Sequence, residues 1–172
     1  ALATGAVLPA DLVLSAVGAV PNVELAAEAG LVIENGVKVD ETTRTSDASI
    51  FAVGDVASFP SALSGRRVRL ESVQNAIDQA KAAAKAITGG VVAYDPVPWF
   101  WSDQYDTKLQ IAGLLEGFTR TECEGDPAAG RFSVQYFAGD RLIAVCSVND
   151  PKSHMLARRA LAAPAPAREV TA

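Results

Sequence analysis

An α/β fold followed by an antiparallel unit is the fold class this sequence predicts, and three observations carry it. Short apolar runs stop at Gly, Asn or Asp. One stretch repeats its apolar residues at helical spacing. Past a proline-rich joint the pattern changes to strands joined by tight turns.

The elements follow in order. Residues 12–17 (LVLSAV) have the length and character of a buried strand, halted by Gly18, Pro21 and Asn22 before a short helix over 24–29. Residues 31–34 and 37–40 flank Asn35-Gly36, a dipeptide whose tolerance of positive φ suits a two-residue hairpin turn. Residues 50–53 (IFAV) read as a second buried strand, the inner strand of a parallel sheet, ending abruptly at Gly54-Asp55. After a loop rich in Ser, Gly and Arg, Val73, Ile77, Ala80, Ala84 and Ile87 recur at helical spacing, and Gly89-Gly90 closes that long helix. Its apolar face is expected to pack on the sheet.

Pro96 and Pro98 suit neither a helix interior nor a central strand, so a boundary is expected there. It divides a first unit, residues 1–95, from a second, 96–163. In the second unit, 108–113, 131–137 and 142–148 read as strands, with Gly139-Asp140 turning the last pair. A helix over 153–161 follows. The Ala-Pro stretch 162–167 opens a tail, 164–172, expected to be frayed and flexible.

Composition excludes several functions. The 172 residues carry a net charge of −5 and a pI near 4.9, which argues against a general nucleic-acid binder. No apolar run approaches the roughly 20 residues of a membrane-spanning helix, and no leader pattern is present, so a cytoplasmic protein without a membrane partner is expected. Cys123 and Cys146 are distant and His154 is the single histidine, a set that forms no recognisable zinc site. Two buried free thiols are expected. The chain begins at Ala1 without a methionine, which suggests a fragment or processed product.

Taken in order, ADLVLSAVGAVPN, TRTSDASIFAVGDVA, RVRLESVQNAIDQAKAAA, VPWFWSDQYDTKLQIAGL and RLIAVCSVND resemble the C-terminal half of the FAD-dependent, NAD(P)H-using ferredoxin reductases that serve oxygenases. AVGD by itself belongs to the wider pyridine nucleotide-disulfide oxidoreductase superfamily; PWFWSDQ with GDRLIAV is far more specific. The resemblance, over residues 6–160, implies the second part of a Rossmann-like FAD-binding domain (parallel sheet, hairpin, long helix), then an α+β C-terminal domain with an antiparallel sheet. It implies FAD, with NADH or NADPH bound mainly by upstream residues, and an iron-sulfur ferredoxin as partner. None of the 13 glycines has another two positions away, so neither G-x-G-x-x-G fingerprint is in this sequence. The chain is expected not to be a complete reductase.

Site residues follow. Gly54, at the carboxyl end of a strand, leaves room for a cofactor, and Asp55 offers an acceptor to a hydroxyl; an Asp that only caps the following turn is the alternative. The resemblance assigns that hydroxyl to the ribityl chain of FAD. Near Glu71, Ser72 and Val73 the long helix begins, and its N-terminus suits the negative charge of a reduced flavin's pyrimidine edge. Alternation places Trp99 and Trp101 on one side of an extended segment; core packing suits Trp99, while the resemblance puts Trp101 beside the flavin. Arg66, Arg67, Arg69, Lys81 and Lys85 form a basic stretch for docking an acidic ferredoxin, with Lys81 placed on the docking face by the resemblance. The chemistry belongs to the cofactors and no catalytic residue is expected in this chain. A peroxide- or radical-reducing flavoenzyme of the same superfamily and a non-catalytic association fragment are the alternatives.

Overall fold

The computed structural model describes residues 2–90 and 93–163. After helix α1 (Glu24–Glu28), Asn35 and Gly36 take φ of 50° and 113° and turn the chain, closed by the Glu34 N–H donating to the Gly36 carbonyl at 2.8 Å. The expected hairpin is thus made, though its own ladder is the single bridge Ile33–Val37. Strand β1 (Val37–Lys38) instead runs parallel to β2 (Ala57–Ser61), which pairs antiparallel with β3 (Arg66–Arg69), giving a three-stranded mixed sheet. Helix α2 (Val73–Ile87) starts on the Ser72 side chain, which accepts from the Asn75 N–H, and closes as foreseen at Gly89-Gly90, where the Gly90 N–H reaches the Lys85 carbonyl. Val39, Ala57, Phe59, Val68, Ala82 and Tyr94 form the core between sheet and helix.

Three expectations fail here. Residues 12–17 form no strand: Leu12 is 87 % and Val17 93 % exposed. A strand exists through its ladder, and among the described residues none runs beside them. Residues 50–53 also form no strand. Phe51 makes one bridge, to Arg44, while Thr45 N–H and Ala52 N–H close a local loop on Ile50 and Thr43 carbonyls, so the backbone groups a ladder needs are already used. The strand begins at Ala57, beyond Gly54-Asp55, which forms a 3-10 turn over Gly54–Val56. Finally, α2 is rotated from the expected orientation. Its buried residues are Asn75, Gln79, Ala82 and Ala83, and Val73 is 61 % exposed, with Ile77 and Ile87 also on the outside. Alanines let the helix lie close to the sheet, and the Asn75 amide and the Gln79 amide oxygen are bonded inside.

The second sheet is antiparallel throughout: β4 (Trp99–Gln104), β5 (Thr107–Gly113), β6 (Arg120–Asp126), β7 (Arg131–Ala138) and β8 (Arg141–Val148), in the order β4-β5-β8-β7-β6. Strand β6 had no sequence signal, because it is an edge strand with all seven residues exposed and nothing to alternate. Helix α3 (Pro151–Ala162), capped by Asp150, lays Ala157 and Leu161 on Ala112 and Val145. The expected tail, 164–172, lies outside the described residues. Cys123 sits on the β6 edge and is exposed, correcting the expectation of two buried thiols. It faces Val134, which in turn faces Cys146, so two strand spacings of about 4.8 Å separate the thiols' strands, beyond the roughly 7 Å limit for a bridge.

Candidate functional site

The local geometry of Gly54-Asp55 sets the site. Val53 is extended, then Gly54 takes φ +78°, a backbone state an L side chain rarely adopts. Gly54 is buried, and its N–H donates to Gln79 Oε1 of α2 at 2.7 Å. A Cβ added there would lie 3.5 Å from the Ala76 methyl, which places the turn directly on the first turns of α2. Asp55 is exposed. Its backbone carbonyl accepts from Arg69 Nη1 at 3.0 Å, and its carboxylate has no protein partner among the described residues.

The start of α2 supplies the complementary charge. Ser72 satisfies the Asn75 N–H and the Ala76 N–H, which leaves the Val73 and Gln74 N–H groups at the positive end of the helix without a protein partner among the described residues. Glu71 is engaged by Arg69 at 2.6 Å, and the Arg69 side chain is largely buried. Gly54 lies against α2 and Arg69 bridges the Asp55 carbonyl to Glu71, so Gly54, Asp55, Glu71, Ser72 and Val73 share one region that offers an unpaired carboxylate acceptor and unpaired N–H donors. Such a pair accepts from a hydroxyl and donates to an electron-rich group. The donor and acceptor set suits a hydroxyl-bearing, electron-rich cofactor: the Asp55 carboxylate is unspent and the first N–H groups of α2 are open, while the missing side chain at Gly54 lets the turn lie against Ala76.

Asn75, Gln79 and Tyr94 were not foreseen as part of the site. Tyr94 O–H donates to Asn75 Oδ1 at 2.9 Å, and Asn75 Nδ2 to the Leu70 carbonyl at 3.1 Å. Burial, with Asp78 nearby, pushes the Tyr94 phenol well above its ordinary range. The signal was present as two amides four residues apart on one helix face, yet an apolar stripe on another face drew the reading.

Trp101 is 41 % exposed and lies 5.5 Å, ring to ring, from Trp99 on the same face of β4. Trp99 in turn meets the His154 ring at 5.5 Å and the Arg158 guanidinium at 4.5 Å. Burial and the Arg158 charge hold the His154 imidazole below its usual pKa. The basic residues are dispersed. Arg66 pairs with Glu116, Arg67 donates to the Val39 and Ser58 carbonyls, Arg69 holds Glu71, and Lys81 pairs with Asp78 at 3.2 Å on its own helix. Lys85 makes no ion pair among the described residues. Burial pushes the Cys146 thiol up, partly offset by the neighbouring Tyr136 hydroxyl.

Residues 1–80 match the family model described as pyridine nucleotide-disulphide oxidoreductase, and residues 99–172 the one described as reductase C-terminal. Rhodocoxin reductase of Rhodococcus erythropolis is 49 % identical over 163 residues, 95 % of this chain and 38 % of that protein. The first unit is thus similar to the pyridine nucleotide-disulphide oxidoreductases and the second to reductase C-terminal domains. The chain is similar to the ferredoxin reductase for the CYP199A2 system from Rhodopseudomonas palustris, at 47 % identity and a TM-score of 0.87, covering 91 % of this chain and 39 % of that one. It is also similar to the covalent putidaredoxin reductase-putidaredoxin complex, at 46 % identity and a TM-score of 0.84, over 90 % of this chain and 37 % of that one. The chain thus spans about two fifths of the length of these relatives. No helix among the described residues is long and apolar enough to cross a membrane.

Proposed function

We propose that this chain forms part of a cytoplasmic flavoprotein oxidoreductase passing electrons from NADH or NADPH through FAD to an iron-sulfur ferredoxin of an oxygenase system. The observation that carries it is the unspent Asp55 carboxylate on a turn whose Gly54 is bonded to α2, in a chain similar over nearly its whole length to ferredoxin reductases. In this reading residues 1–95 complete the second part of an FAD-binding domain and 96–163 form the reductase C-terminal domain. The exposed apolar residues 12–17 and the outer stripe of α2 (Val73, Ile77 and Ile87) are then covered by the remainder of the FAD-binding unit.

Bound FAD supplies hydride acceptance from a nicotinamide and one-electron release to an iron-sulfur centre. Asp55 accepts a hydrogen bond from the ribityl chain and fixes its position. The Val73 and Gln74 N–H groups, with the helix dipole, favour negative charge at the pyrimidine edge. Glu71 keeps Arg69 against the Asp55 carbonyl, so that this cation supports the turn. Trp101, tilted against Trp99 and 41 % exposed, provides the apolar centre of the ferredoxin contact. Arg66, Arg69 and Lys81 are the cations offered to an acidic ferredoxin, Arg66 and Lys81 through exposed ion pairs that a partner's carboxylates can exchange, while Arg69 is largely buried on Glu71.

Anaerobic stopped-flow on the flavin-loaded protein separates the two half-reactions. Trp101→Ala should leave flavin reduction by NAD(P)H unchanged and slow ferredoxin reduction at every salt concentration. Equal slowing of both half-reactions, or of neither, would count against the proposal.

A further inference from the structure

We infer that Gln79, held by Asn75 and Tyr94, is a positioning clamp on the Gly54 backbone that aims the Asp55 carboxylate at the cofactor; this rests on the reading of Asp55 as an FAD contact. Gly54 at φ +78° has more conformations to lose than any other residue, so its turn needs an external restraint. Its buried N–H finds no backbone acceptor. Instead it donates to a side chain 25 residues away, Gln79 Oε1, at 2.7 Å, and Gln79 is 0 % exposed. The acceptor is held in turn. Asn75 Nδ2 lies 3.5 Å from the same Oε1 and donates to the Leu70 carbonyl at 3.1 Å, while Tyr94 O–H donates to Asn75 Oδ1 at 2.9 Å.

Two features separate this arrangement from plain helix packing. Helix α2 buries these amides and leaves Ile77 44 % exposed, the reverse of what burial of apolar surface favours. Gln79 Nε2 is moreover buried without a hydrogen-bond partner among the described residues, a desolvation cost that an apolar side chain of equal size would avoid. What the glutamine provides at that cost is one acceptor for one N–H, on the residue immediately before Asp55. Because Tyr94 sits at the joint leading to the second sheet, the same chain of bonds ties the Gly54 turn to that joint.

A double-mutant cycle in the complete flavoprotein tests this, with FAD dissociation constants measured by flavin fluorescence on the apoprotein. Gln79→Met keeps the volume and removes the acceptor, and should raise the constant about tenfold, the effect of one hydrogen bond of ordinary net strength. Gln79→Glu keeps an acceptor and should recover most of the affinity. In an Asp55→Ala background, Gln79→Met should change the constant less than about twofold, since the group being aimed is gone. Full additivity of the two losses, or an unchanged constant in Gln79→Met alone, would overturn the clamp. If Asp55→Ala binds FAD as tightly as wild type, the reading of the site fails first and the clamp with it. Should Gln79→Met not fold, Tyr94→Phe repeats the cycle by removing only the hydroxyl that holds Asn75. A loss that vanishes beside Asp55→Ala then supports the clamp, and an additive loss or none overturns it.

Discussion

Replacing Gly36 with alanine perturbs the turn at Asp55 from the opposite side, and its cost follows from the coordinates. Gly36 has φ +113°, and a Cβ there would stand 2.4 Å from the Val56 carbonyl oxygen and 2.9 Å from Arg69 Cδ. The backbone state alone costs an L residue about 1–2 kcal/mol. The overlap adds to this, because one neighbour is backbone and cannot rotate away. Either β1 separates from β2, or Val56 and Arg69 move together. The second route gives up the bond from Arg69 Nη1 to the Asp55 carbonyl, a charge-assisted bond of about 1.5–3 kcal/mol. The total is about 2.5–5 kcal/mol. Gly65→Ala is the control, since Gly65 also has positive φ (69°) but open space around its Cβ, and should cost only the backbone term. Urea unfolding followed by far-ultraviolet circular dichroism measures both, since the two tryptophans lie in the second sheet and would miss the first. Equal losses for Gly36→Ala and Gly65→Ala would refute the reasoning that β1 is pinned against the Val56 carbonyl.

Other outcomes follow from the same geometry. His154 has its folded pKa below the ordinary 6.5, so the unfolded chain takes up the proton first as pH falls. Stability should therefore decline as pH drops below about 6.5, and His154→Phe should flatten that decline in unfolding curves between pH 7 and about 5.5. Glu34, Asp40 and Asp150 are held below ordinary values of 4.5, 3.8 and 3.8, so their contributions are lost at lower pH and leave this window to the histidine. The Cys123→Ser, Cys146→Ser double variant should keep acceptor reduction, given the separation of the thiols and the raised Cys146 pKa; its loss with fold and flavin intact would bring back a disulfide chemistry. Lys81→Glu should slow ferredoxin reduction most at low salt without changing flavin reduction, and equal rates at low salt would remove Lys81 from the docking surface.

Legibility in the sequence depended on whether this chain holds an element's partners. The central strands of the second sheet were read correctly because this chain itself buries their apolar runs: Ile111 and Ala112 in β5, and Ile143, Ala144 and Val145 in β8, are buried at consecutive positions, with Ala112 and Val145 under α3. The Asn35-Gly36 turn and the Gly89-Gly90 helix stop were read from local backbone chemistry, which needs no distant contact. Residues 12–17 and the apolar stripe of α2 carry the composition of buried segments, yet no described residue covers them, so the pattern reported burial that this chain alone does not supply. Gly54-Asp55 stood out at the end of its apolar run, and the structure seats it on α2; the residues that hold it there, Asn75, Gln79 and Tyr94, are polar groups on a buried face and broke the pattern used to find that face.

Hydrogen-deuterium exchange on the complete protein with and without FAD tests most directly that this chain forms half of a flavin site. FAD should slow exchange at the amides of Asp55, Val56, Val73 and Gln74, where the turn and the open end of α2 meet, and leave β6 and β7 unchanged. Unaltered exchange at those four amides in a protein that holds stoichiometric FAD would contradict it.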